Sequence, residues 1–337
     1  MARLDLTALT LHITASALQH PDELAAHVAQ VAQVSRSTAR KALQRLVQLG
    51  WLRREGTVRQ PRFQPGLLRQ VVQRYPLAGL EEDLPWARHF APFFDLPPEV
   101  RRITQHIFGE LLNNAIDHSG GENVTVSLRQ TPSHVQLLVS DDGCGVFDQL
   151  ARTFSLDDPA LAMLEVSKGK LTSQPQRHAG RGLFFTSRLA DVFDLHANDT
   201  AFQHRLWDGG WHPGRAMKRR GTSVYAAIAL DTTRKLDDVL QAYSLDGTGY
   251  GFERTTVPLR LLATPLAGLD SRAQARRVAA RLQQFRRAEM DFDGVENIGH
   301  SFADELFRVL PMDGVQMVPT NMSPKVEALV LSVRNGA

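Results

Sequence analysis

A single cysteine, Cys144, stands in a chain of 337 residues. One thiol excludes an intramolecular disulfide framework and points to a reducing, cytoplasmic setting. Also lacking is any apolar run long enough to cross a bilayer, or a basic-apolar-small order at the start that would mark a secretory signal, so no membrane partner is expected. Internal repeats and low-complexity tracts are absent too, which excludes solenoids and disordered arrays. What remains is a globular chain, 43% hydrophobic, whose length predicts two or three domains. Acid is scarce in one region. The net charge is only +3, yet residues 1–75 carry eleven Lys and Arg against four acids, a local +7 that points to a polyanionic partner.

The segment Glu110-Leu-Leu-Asn-Asn-Ala-Ile-Asp-His118 sets several polar groups on one face of an apolar helix. At about 100° per residue, Glu110, Asn114 and His118 align, with Asn113 and Asp117 flanking them. Asn is a poor helix former, so two in succession imply something polar against that face. Downstream, the strand-like Val135–Val139 leads into Ser140-Asp141-Asp142-Gly143-Cys144-Gly145, where a carboxylate at a strand end and two glycines let backbone approach a ligand. Gly180-Arg181-Gly182 opens a helical pattern whose free N–H groups could face an anion, and Arg220-Gly221-Thr222 starts another strand.

Glu110-x-x-x-Asn114, Asp141-x-Gly143-x-Gly145, Gly180-x-Gly182 and Gly221-Thr222, in that order, resemble the N, G1 and G2 boxes and closing strand of the GHKL ATP-binding superfamily. That group includes gyrase B subunits, heat-shock chaperones, MutL proteins, histidine kinases and anti-sigma-factor kinases. The resemblance implies an α/β sandwich of the Bergerat type that binds ATP and Mg²⁺. It implies Asn114 as metal ligand, Glu110 as the group that orients or deprotonates the nucleophile, and Asp141 as acceptor of the adenine amino group, supported by Thr222. Gly143, Gly145, Gly180 and Gly182 would give room and backbone donors. Residues 147–179 become the ATP lid, with Lys168, Lys170, Arg177 and Arg181 as candidate phosphate contacts. Two departures stand out: Phe184 where many relatives have glycine, and Asp142 where Asn is common.

At the N-terminus, Pro21-Asp22-Glu23 predicts a helix start, and Ser35 or Ser37 caps a second helix to about Leu49. Ala39, Ala42, Leu43 and Leu46 form its buried stripe, while Arg36, Ser37, Arg40, Lys41, Gln44 and Arg45 face outward. Gly50 ends it, and Trp51–Arg59, with Arg53, Arg54 and Arg59, reads as a short hairpin. This order resembles the winged helix-turn-helix of bacterial transcription regulators, which implies double-stranded DNA as partner; a palindromic site would require two winged helices, as a homodimer supplies. The alternative is a winged helix used for dimerisation or for holding another protein.

Residues 246–337 alternate strand and helix patterns as a small α/β domain. Asp291-Phe-Asp-Gly-Val295 followed by Ser301–Phe307 resembles STAS-like domains, which implies a protein partner through that part and makes Ser301 a candidate phosphoacceptor. The Arg272, Arg276, Arg277 and Arg281 row reads as a solvated helix face. The expected fold is therefore multidomain α/β: a winged helix-turn-helix over 1–75, a GHKL-type domain over 76–245 and a STAS-like domain over 246–337. Too few residues lie between the wing and Glu110 for the helical dimerisation domain of a histidine kinase, so His89 and His106 read as structural. Two functions remain: a DNA-binding regulator switched by nucleotide, or an ATPase or serine kinase of anti-sigma type that acts on a STAS-like domain.

Overall fold

In the computed structural model, which describes residues 4–57, 59–156, 158–171, 180–208, 210–263, 268–310 and 312–335, the first helices are α1 (Leu6–Thr10), α2 (Ile13–Gln19), α3 (Leu24–Val31) and α4 (Arg36–Gln48). Ser35 starts α4 by accepting from Thr38 N–H at 3.1 Å. Gly50, at φ 82°, stops it. The stripe Ala39, Ala42, Leu43 and Leu46 is buried. A hairpin follows, β1 (Leu52–Gly56) with β2 (Pro61–Pro65). Its second strand lies beyond the expected hairpin span of Trp51–Arg59. Ile13, Leu24, Val28, Leu43, Leu46, Trp51 and Phe63 give this N-terminal part a core of its own.

β3 (Arg69–Pro76) belongs elsewhere. It pairs antiparallel with β4 (Asn123–Gln130) at the edge of a seven-stranded sheet, although its residues were expected with the basic N-terminal part. Between them come α5 (Asp83–Pro85), a π turn at Trp86–Phe90, a 3-10 turn at Ala91–Phe93 and the long α6 (Pro98–His118). The sheet then takes β5 (His134–Asp141), α7 (Val146–Phe154), α8 (Pro159–Lys168), α9 (Gly182–Leu189), β6 (Val192–Asn198), β7 (Thr200–Arg205), β8 (Gly210–Pro213) and β9 (Arg219–Ala229), with α10 (Leu236–Gln241) after it. Strand order is β3-β4-β5-β9-β6-β7-β8, antiparallel throughout. Alternation in β4 and β5 turns Val124, Val126, Leu128, Val135, Leu137 and Val139 toward α6, whose Ile103, Ile107, Leu111 and Leu112 meet them.

A three-stranded parallel sheet ends the chain, β10 (Arg254–Pro258), β11 (Arg287–Asp291) and β12 (Gln316–Thr320), with α11 (Arg272–Ala279), α12 (His300–Asp304) and α13 (Pro324–Arg334) as its helices. The two sheets share one hydrophobic core that runs from Val71 to Val330. Residues 245–251, at the boundary of the two expected domains, thus form a surface turn rather than a joint. Phe252 follows it directly, 2% exposed, with its ring against Phe184, Phe185, Tyr243 and Phe285. Burying that ring contributes about 1.5–3 kcal/mol to holding the sheets together. Among the described residues, no helix is long and apolar enough to cross a membrane.

Candidate functional site

The C-terminal half of α6 brings Glu110, Asn113, Asn114 and His118 to one wall of a cavity of about 350 Å³. Asp141, Gly145, Thr222 and Val224 form the floor, and Val146, Leu150, Phe154, Val166, Leu171, Leu183 and Phe184 supply apolar surface. Gly180, Arg181 and Gly182 close the side beside α9. Four segments that the sequence spreads over more than a hundred residues meet here because β5 and β9 are neighbours under α6.

Asp141 is buried at the end of β5. Its Oδ1 accepts from Gly143 N–H at 2.9 Å and Thr222 N–H at 3.1 Å, so one carboxylate ties the two glycine-bearing turns together. Burial pushes its pKa up, against the two N–H donors that favour the anion. Thr222 Oγ1 accepts from Val146 N–H at 3.0 Å and keeps its own hydrogen to donate. Gly221 adopts a left-handed φ of 92°, and a Cβ there would also run into the Asp141 carbonyl, so both torsion and space call for glycine. Gly182 has no such torsion; a Cβ on it would meet Glu110 Oε2 at 2.5 Å and Asn114 Nδ2 at 3.4 Å.

Among the described residues, two buried donors of the cavity lining have no partner, Asn114 Nδ2 and Arg181 Nε, while Arg181 Nη1 donates to the Tyr250 carbonyl at 3.2 Å and the guanidinium lies over the Phe252 ring. An unpaired buried polar group costs about 1–3 kcal/mol, so their convergence suits an anion with many acceptors, such as a polyphosphate. Turning the Asn114 amide by 180° would present Oδ1 instead, the hard oxygen donor that Mg²⁺ takes. Among the described residues, no cluster of three or more His, Cys, Asp and Glu could hold a metal. A cation here would lean on Asn114 and on the oxygens of the bound anion.

Other sequence expectations fall outside the cavity. Lys168 is not a phosphate contact: it is fully buried on the far side of α8, with Nζ 2.5 Å from Glu165 Oε1 and donating to Ala280 O at 3.0 Å. Lys170 also points away, donating to Gln284 O at 2.6 Å with its ammonium over the Phe285 ring. The physical reason is the same for both, since the C-terminal sheet packs on this end of α8 and captures the cations. Gly143 sits behind the cavity wall, against Ser119. Arg177 lies outside the described residues. Asp142 turns its charge outward, where the N–H and side-chain amide of Asn123 and the N–H of Glu122 hold its pKa down at about 2. Phe184 is buried between Tyr243 and Phe252, so the ring in place of a glycine anchors the C-terminal part.

Asn198 was not foreseen. From the last position of β6 it accepts from Gly221 N–H at 3.1 Å and donates to Cys144 O at 2.9 Å, linking both glycine turns. Its left-handed φ of 55° is a weak sequence signal, since Asn adopts that region more readily than most residues.

On the N-terminal part, Arg36, Ser37, Arg40, Lys41, Gln44 and Arg45 are exposed along α4, and Arg53, Arg54 and Arg59 are exposed on and after β1. Arg53 is engaged by Glu55 at 3.1 Å and Gln64 at 2.9 Å. The arginine row of α11 is not merely solvated: Arg276 pairs with buried Glu305 at 2.7 Å and Arg281, just beyond the helix, with buried Glu165 at 2.8 Å. Ser301 is exposed in the first turn of α12, whose N-cap is Gly299.

No curated protein matches the chain. The family model of the histidine kinase-like ATPase domain matches residues 79–208, which include the α6 face and the first two glycine turns, and that of a STAS-like domain of unknown function matches residues 274–327. The chain therefore carries a histidine kinase-like ATPase domain and, C-terminal to it, a STAS-like domain.

Proposed function

We propose that the cavity under α6 binds ATP with Mg²⁺ and that the chain works as an ATPase or serine kinase of anti-sigma type, with its output passing through the STAS-like domain. The observation that carries this is the meeting of Glu110, Asn114, Arg181, Asp141 and Thr222 in one cavity, with two unpaired buried donors. In this reading Asp141 accepts from the adenine amino group, Thr222 supports it, and the apolar side chains hold the ring. Arg181 faces the phosphates and Asn114 would hold Mg²⁺, which supplies charge neutralisation on the triphosphate when bound. Glu110 takes the proton as a hydroxyl oxygen attacks the γ-phosphorus and ADP leaves. With water as attacker the product is phosphate; with a serine hydroxyl it is a phosphoserine. Ser301 is the candidate acceptor, since its hydroxyl is exposed and the helix is capped by another residue.

Purified chain with radiolabelled Mg-ATP tests this. Phosphate release or protein labelling is expected, abolished in Glu110→Ala and Asn114→Ala, and labelling is expected to vanish in Ser301→Ala. Absence of both release and labelling removes the enzyme reading.

A second reading is favoured by one surface. α4 has no acidic residue, and its exposed side carries Arg36, Arg40, Lys41 and Arg45 beside the exposed arginines of β1. Helix, turn, basic helix and hairpin in that order support a winged helix that meets duplex DNA, with ATP switching its affinity. Mobility shifts with duplex DNA should weaken steeply with salt, and Arg40→Ala or Arg45→Ala should flatten that slope. Duplex binding that is absent, or unaltered in both variants, leaves the module a protein-holding role.

A further inference from the structure

Arg281 sits just past α11 with a left-handed backbone, φ 64°. Its guanidinium crosses from the STAS-like domain to the ATPase domain. Nη1 donates to Glu165 Oε2 at 2.8 Å, and Nη2 to the Lys170 carbonyl at 2.6 Å and the Gly169 carbonyl at 3.4 Å. The same short stretch is held at other points. Lys168 Nζ donates to Ala280 O, Thr255 Oγ1 donates to Lys168 O at 2.7 Å, and Lys170 Nζ donates to Gln284 O. At Gly169, φ 76°, the Phe252 ring fills the space a Cβ would need.

The other face of this stretch belongs to the nucleotide cavity, where Val166 and Leu171 line the wall. Residues 165–171 are therefore tied to one domain and shape the site of the other. Glu165 and Lys168 are 2% and 0% exposed, and a carboxylate so far from water is tolerable only with its cations in place. Arginine suits the position because its planar fork reaches a carboxylate and two carbonyls at once, which a single ammonium cannot do.

We propose that Arg281 is a positioning residue for the nucleotide, through which the STAS-like domain fixes the cavity wall formed by Val166 and Leu171. This rests on the ATP reading of the cavity. Coupling of this kind is reciprocal: whatever displaces Arg281 weakens nucleotide binding, and nucleotide steadies the seam between the domains.

Titration of the full chain with a fluorescent, non-hydrolysable ATP analogue and Mg²⁺ provides the test. Arg281→Ala should weaken binding about tenfold, with Arg281→Lys between the variant and wild type because it can satisfy only part of the fork. Arg260→Ala is the control, since Arg260 ties the two sheets elsewhere in the seam, through His212 at 3.0 Å and Asp293 at 2.8 Å, away from the cavity. It should bind like wild type. Wild-type affinity in Arg281→Ala, or equal loss in Arg260→Ala, overturns the proposal by reducing Arg281 to general cohesion. Should Arg281→Ala fail to fold, Arg281→Lys decides, and unaltered affinity there overturns it. A wild-type chain that binds no analogue removes the ATP reading itself, before any variant is compared.

Discussion

At the scale of single residues the cavity is built by close approach. Gly182 faces Glu110 and Asn114 so tightly that an added methyl must move the Glu110 carboxylate. On the ATP reading, Gly182→Ala should therefore lower ATP turnover at least tenfold while the melting temperature stays near that of wild type, because the strain falls on the proposed catalytic carboxylate rather than on the core. A melting point that falls in step with turnover would contradict this. The polar face of α6 was legible in the sequence because helical period alone fixes the spacing of Glu110, Asn114 and His118. Lys168 was not. Where its ammonium goes depends on Ala280 and Arg281, more than a hundred residues away, and local pattern carries no information about them. Asn198 was hidden for the same reason, since its partners Cys144 and Gly221 come near only once β6 lies beside β9.

At the scale of elements, capping and periodicity read well, and strand ownership read badly. Ser35, Gly50 and the apolar stripe located α4 to within a residue or two, and the C-terminal alternation of strand and helix reappears as β10 to α13. β3 was assigned to the wrong part because its arginines continue the basic run of the N-terminus. Val71 alone faces the core fully, too little to betray a sheet edge. The cap offers a clean test of independence. Ser35→Ala removes the acceptor for Thr38 N–H and should cost the N-terminal part about 1 kcal/mol. Since that part has a separate core, urea unfolding followed through Trp51 should shift while ATP-analogue affinity does not. A parallel loss of affinity would show that the module and the ATPase domain unfold as one.

At the scale of the whole molecule, the ATPase and STAS-like domains share one hydrophobic core, and His204 makes their seam one source of acid sensitivity. His204 lies in a cleft lined by Arg188, Arg234, Lys235 and Tyr243 from one domain and Thr256 from the other, its ring against Trp211. Burial chiefly, then Arg188, Arg205 and His212, against a weaker pull from Asp208, lower its pKa to about 4. Between that value and the ordinary 6.5, the unfolded chain takes up a proton that the folded chain refuses. Stability from this group is thus complete above pH 6.5 and is lost as pH falls toward 4, by up to about 3 kcal/mol. Asp142 also contributes in acid, but its pKa of about 2 places that loss below the ordinary carboxylate range of 3.8, outside the histidine window. Urea midpoints at pH 7.5 and 4.5 should accordingly drop further in wild type than in His204→Gln, which keeps a polar side chain without the titration. Equal drops in the two proteins would place the acid sensitivity of the seam in other groups.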